Sequence, residues 1–206
     1  MEANPRAVRS AAIALVLAGA ILWVPILDLM FSRDGGFLGD LGFRSGPSGT
    51  PLGWALALLV AGIYAGYTIR NVPLVRAHWL RFSPFKLLGI FVAVGAAVVE
   101  EAFFRRLLMD WIFVRGGSAV AQILASGLIF GLAHGAWGVV TRRMWVGLRV
   151  MVATGALGLA LAAVYVISGR SLAPVIVSHF LITGSIQPGI MIAAFSGEMR
   201  RQPAVG

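Results

Sequence analysis

The apolar run over residues 87–114 has no ordinary place in a water-soluble fold, because it carries Glu100, Glu101, Arg105 and Arg106 in its interior. If wholly helical it is about 42 Å long, enough to cross a bilayer with tilt. An ionisable side chain at bilayer depth costs about 2.5–3.5 kcal/mol on insertion scales. A run holding four of them between positions 100 and 106 therefore needs mutual pairing, a function, or both.

Five further apolar runs accompany it, at 11–31, 51–69, 118–140, 150–168 and 172–195. The chain is 59% hydrophobic and 12% charged, with a mean hydropathy of +0.88. Soluble domains carry about 25% charged residues. The sequence therefore predicts an all-α fold, a polytopic integral membrane bundle of about six transmembrane helices, with residues 1–206 forming one membrane domain. Ala18-Gly19-Ala20 looks like a signal cleavage site, but hydrophobicity continues to Phe31, which favours a span. Residues 32–50, rich in Gly, Ser, Pro and Asp, are expected to form an exposed loop.

The net charge of +9 does not point to nucleic acid, because the basic residues are scattered between the apolar runs. With six spans, one side holds Arg6, Arg9, Arg70, Arg76, Arg81, Lys86, Arg142, Arg143, Arg149, Arg200 and Arg201. The other holds Arg33, Arg44, Arg115 and Arg170. The positive-inside rule then places both termini in the cytoplasm. Cysteine is absent, which excludes disulfides, thiolate metal sites and a cysteine nucleophile.

Small residues suggest close helix contacts. Gly62 and Gly66 lie beside Ala61 and Ala65; Gly127, Gly131 and Gly135 follow at four-residue spacing; Thr154, Gly158 and Ala162 form a third stripe. The last span carries an unusual polar cluster for lipid, namely Ser178, His179, Thr183, Ser185 and Gln187, with Pro188 expected to bend the helix. His78, beside Trp79 in a basic connection, reads as an interfacial residue.

Counting from the connections brings Glu100, His134 and His179 to a similar depth in three spans. Adjacent helical residues differ by about 100°, so Glu100 and Glu101 point different ways, whereas Glu101 and Arg105 share a face. A Glu101–Arg105 pair would leave Glu100 to face the other helices, and Arg106 is most simply paired with Asp110. A carboxylate kept from water suits general acid or base work, and a neighbouring histidine can help polarise a water. His179 and Thr183, one turn apart, could donate to an oxyanion. The same residues also admit a zinc ion held by Glu100, His134 and His179, a proton relay, or a purely structural cluster. No internal repeat supports a transporter.

Glu100-Glu101-Ala102-Phe103-Phe104-Arg105 resembles the EExxxR motif of the CAAX-protease and bacteriocin-processing family of intramembrane endopeptidases. Phe130 to His134 resembles its FxxxH motif, and His179 to Thr183 its HxxxN or HxxxD motif, with Thr183 in place of the amide or acid. The resemblance implies that Glu100 and His134 activate water, that His179 stabilises the oxyanion, and that Glu101 and Arg105 support the site. At Thr183, where a hydroxyl cannot reproduce an amide's reach, it is weakest. It further implies a polypeptide substrate with a membrane-associated or C-terminal segment, membrane lipid as surroundings, no cofactor, and a bacterial inner-membrane location. A non-catalytic immunity or scaffolding protein of the same family is the alternative.

Overall fold

The computed structural model describes residues 4–32 and 48–197. It is 86% helix, without a strand among the described residues, and six of its helices are long and apolar enough to cross a membrane. In chain order they are α1 (Pro5–Ser32), α2 (Pro51–Asn71), the short α3 (Pro73–His78) and α4 (Pro84–Glu101). A π-helical segment (Ala102–Met109) and α5 (Asp110–Val114) continue α4 without a break. Then come α6 (Ala119–His134), the short α7 (Trp137–Val140), α8 (Met144–Ile167) and α9 (Leu172–Ser196). Most of the expected loop at 32–50 lies outside the described residues.

Local chemistry sets the starts of these helices. Thr50, Ser83 and Ser118 each turn a side-chain oxygen onto a backbone N–H of the first turn, at Gly53, Lys86 and Ala121. Pro51 and Pro84 follow two of those caps, where a missing N–H costs nothing.

Three boundaries differ from the sequence reading. The run at 118–140 is broken after His134, so α7 is a separate turn. Span five begins at Met144, which puts Arg149 inside α8. The connection at 70–86 folds into α3, whose Leu74 and Val75 are buried, and Lys86 belongs to α4.

Helices α6 and α8 pack backbone against backbone, and glycine permits it. A Cβ at Gly131 would stand 2.7 Å from the Met151 carbonyl oxygen, and one at Gly127 would stand 2.5 Å from Leu159. The expected stripe in α2 is shifted: Cβ atoms at Gly62 and Gly66 would meet nothing within 4 Å, whereas Gly53, Ala57 and Ala61 are buried. The contacting face of α2 is thus set by 53, 57 and 61, and its other glycines point outward.

Helix α9 is the most enclosed element and packs on α2, α3 and α4. Pro188 lies inside it, so the Gly184 carbonyl has no helical donor four residues on. Lys86 Nζ supplies the missing hydrogen, donating to Gly184 O at 2.6 Å and to Ser185 O at 3.1 Å. Gly89 lets the proline ring come that close, since a Cβ there would meet Pro188 Cγ at 2.7 Å. Lys86 is therefore a helix-to-helix tie, where the sequence suggested a loop cation.

Candidate active site

The site forms where α4 passes into its π-helical segment. A π turn closes on i→i+5 bonds and recurs at functional positions. The carbonyl of Phe104, inside this segment, accepts from the buried Ser126 of α6 at 3.2 Å. Glu101 Oε2 lies 2.9 Å from Arg105 Nε with both side chains fully buried, as the four-residue spacing predicted. Arg105 also donates to Gly158 O at 3.3 Å and lies over the Phe130 ring at 4.9 Å.

Glu101 does more than neutralise Arg105. Its other oxygen, Oε1, stands 2.7 Å from His179 Nδ1, which fixes that imidazole on α9 from below. A carboxylate accepts, so Nδ1 carries the hydrogen and Nε2 is turned to the other side of the ring. His134, the last residue of α6, is fixed in the same sense, because its Nδ1 donates to Phe130 O at 2.9 Å. Both rings thus present Nε2 to the same place.

That place is Glu100. Its Oε2 is 3.9 Å from His134 Nε2 and 3.8 Å from His179 Nε2. The atom is buried and has no hydrogen-bond partner among the described residues. These separations are too long for direct hydrogen bonds and suit a shared water. Helices α4, α6 and α9 bring together the three residues that depth counting aligned.

Two features escaped the sequence reading. Phe130, one of the most buried residues, touches both histidines and Arg105 through its ring, with centroid distances of 4.4 Å to His134 and 5.9 Å to His179. Its place four residues before His134 was visible, but its contacts with another helix were not. A second cluster surrounds Asp110, which the sequence offered to Arg106. Arg170 Nε donates to Asp110 Oδ1 at 2.9 Å, and Tyr165 donates to the same atom at 3.1 Å. Arg170 Nη1 then reaches Gln122 Oε1 at 2.9 Å. The cluster ties α5, α6 and the α8–α9 turn at the end of the bundle where Arg170 holds a left-handed backbone, φ 64°.

Thr183 sits half-buried one turn beyond His179 on α9. Thr68, Thr141 and Thr154 bond the carbonyl four residues back; Thr183 makes no such bond among the described residues. Its hydroxyl is uncommitted. As for zinc, no group of three or more His, Cys, Asp or Glu among the described residues is arranged to hold a metal ion.

A half-buried carboxylate, its one buried oxygen facing two oriented imidazoles inside a six-span bundle, defines a membrane-embedded protein with a hydrolase-like polar centre. The family model described as Type II CAAX prenyl endopeptidase Rce1-like matches residues 82–185, half of the chain, and the chain belongs to that family. The match spans all three motifs, from α4 to Ser185, and the family is one of proteases. No curated protein and no solved structure matches the chain.

Proposed function

We propose that the protein is an intramembrane endopeptidase that hydrolyses a peptide bond near the membrane end of a polypeptide, in a maturation or sorting type of processing. The observation that carries this reading is the convergence of His134 Nε2 and His179 Nε2 on the unpaired Glu100 Oε2.

Glu100 and His134 hold a water between them. Glu100 takes its proton as the oxygen attacks the scissile carbonyl carbon. Charge then develops on the carbonyl oxygen, where His179, an imidazolium throughout with its Nδ1–H donated to Glu101, donates from Nε2–H and the Thr183 hydroxyl donates a second hydrogen bond. Collapse breaks the C–N bond, and the proton held by Glu100 passes to the leaving amine. Glu101 and Arg105 are positioning residues, and both termini lie in the cytoplasm of a bacterial cell.

The test is a trap. Glu100→Gln, His134→Ala and His179→Ala are each expected to stop processing while the protein still accumulates in the membrane. The uncleaved polypeptide retained by Glu100→Gln, identified by mass spectrometry, names the substrate. Cellular function that survives Glu100→Gln would instead favour a non-catalytic immunity or scaffolding role.

A further inference from the structure

The polar residues of α9 are accounted for one by one, with a single remainder beyond the reacting centre. Ser178 donates to Ala57 O at 2.7 Å, His179 is held by Glu101, and Ser185 donates to Leu181 O at 2.6 Å. Gln187 is different: its Oε1 is buried and has no hydrogen-bond partner among the described residues. Leaving such an atom unsatisfied costs about 1–3 kcal/mol, which an apolar residue here would avoid.

Its position supplies a use. His179, Thr183 and Gln187 follow at four-residue intervals, so they run down one face of α9 away from the reacting centre. Thr183 and Gln187 are both half-buried. A primary amide offers a donor and an acceptor in one plane, which matches the N–H and C=O of a peptide backbone. Eight helical residues rise about 12 Å. An extended chain advances about 3.3 Å per residue, so that distance corresponds to three or four residues of substrate.

We infer that Gln187 is a substrate-positioning residue, pairing its side-chain amide with the backbone of the extended polypeptide three or four residues from the scissile bond. The inference rests on the peptidase reading above. It makes the α9 face a sequence-independent track: His179 and Thr183 hold the reacting carbonyl, and Gln187 fixes the register of the chain leading to it.

The experiment uses the full chain in lipid nanodiscs and a proteome-derived peptide library as probe, with Glu100→Gln as the blank. The best-cut peptide is then resynthesised as a series of single backbone esters, each replacing one N–H by oxygen, across four residues on either side of the cut. For the wild type, one ester at the third or fourth position is expected to raise KM about three- to tenfold, with kcat little changed. Gln187→Leu should raise KM by a similar factor on the all-amide peptide and be indifferent to that ester. An ester penalty as large in Gln187→Leu as in the wild type overturns the inference, as does an unchanged KM. Because the cycle compares substrates within one variant, partial misfolding of Gln187→Leu does not mimic the result. Cleavage with no Gln187 dependence defeats this inference alone. No Glu100-dependent cleavage of any peptide defeats the peptidase reading and this inference with it.

Discussion

His179 Nδ1 stands 2.7 Å from Glu101 Oε1, and both side chains are buried. The contact makes Glu101 an orienting group as well as a partner for Arg105. Glu101→Gln keeps an acceptor for Nδ1–H but no longer offsets the positive charge of the His179 imidazolium that donates from Nε2 to an oxyanion. The expected result is a fall in kcat of about 10²–10⁴-fold with KM nearly unchanged. Single-turnover cleavage of the trapped substrate measures it, and an undiminished kcat would remove Glu101 from the chemistry.

Arg105 carries the stability of the same pair. Arg105→Leu leaves the Glu101 carboxylate buried without its cation, a change that costs about 3–5 kcal/mol. Glu101→Leu combined with Arg105→Leu should be less destabilised than Arg105→Leu alone, because no uncompensated charge remains. Arg105→Lys is expected to recover only part of the loss, since an ammonium cannot bond Gly158 O and lie over Phe130 as the guanidinium does. Unfolding of the purified variants in mixed detergent reads all three, and equal stability of the single and double leucine variants would contradict the pairing.

Six spans, the Glu101–Arg105 pair and the meeting of Glu100 with two histidines were legible in the sequence because each follows from a count. Hydropathy gives the spans, four-residue spacing gives the pair, and distance from the connections gives the depth. What counting misses is rotation. The contacting face of α2 runs through Gly53, Ala57 and Ala61, although Gly62 and Gly66 look equally suited. Asp110 looked most simply like an i,i+4 partner of Arg106, and the pattern gave no sign that Arg170, sixty residues on, also reaches it. Lys86 resembled one more topogenic cation and instead closes the gap left by Pro188. In each case the deciding contact comes from a distant element, whose orientation no local pattern encodes.

Gly131 tests how far helix packing governs the site. A methyl group there would sit 2.7 Å from the Met151 carbonyl and 2.8 Å from Gly155 Cα, both backbone atoms that cannot swing aside. Gly131→Ala must therefore push α6 off α8. His134, three residues on, moves with it, away from Glu100. Activity is expected to fall at least about tenfold while stability drops by about 1–3 kcal/mol, the ordinary cost of overpacking. Gly62→Ala, where a Cβ meets nothing within 4 Å, is the control and should match the wild type in both. If Gly131→Ala were as active as that control, the α6–α8 spacing would not set the position of His134.

Lys86 and Pro188 form a two-part device that a double-mutant cycle can separate. Lys86→Met removes the donors to the Gly184 and Ser185 carbonyls, leaving the Gly184 oxygen without the donor that replaces the missing i+4 N–H, at a cost of about 1–3 kcal/mol. Pro188→Ala restores a backbone N–H that can close the bond to Gly184 O and straighten α9. It also shortens a side chain packed against Gly89, so by itself it should be mildly destabilising. In the Pro188→Ala background, loss of Lys86 should matter less, because the carbonyl it served now has a helical partner. A coupling energy of about 0.5 kcal/mol or more in the stabilising direction is expected from unfolding in detergent. Strict additivity would mean that Lys86 is held by its own burial and does not compensate for the proline.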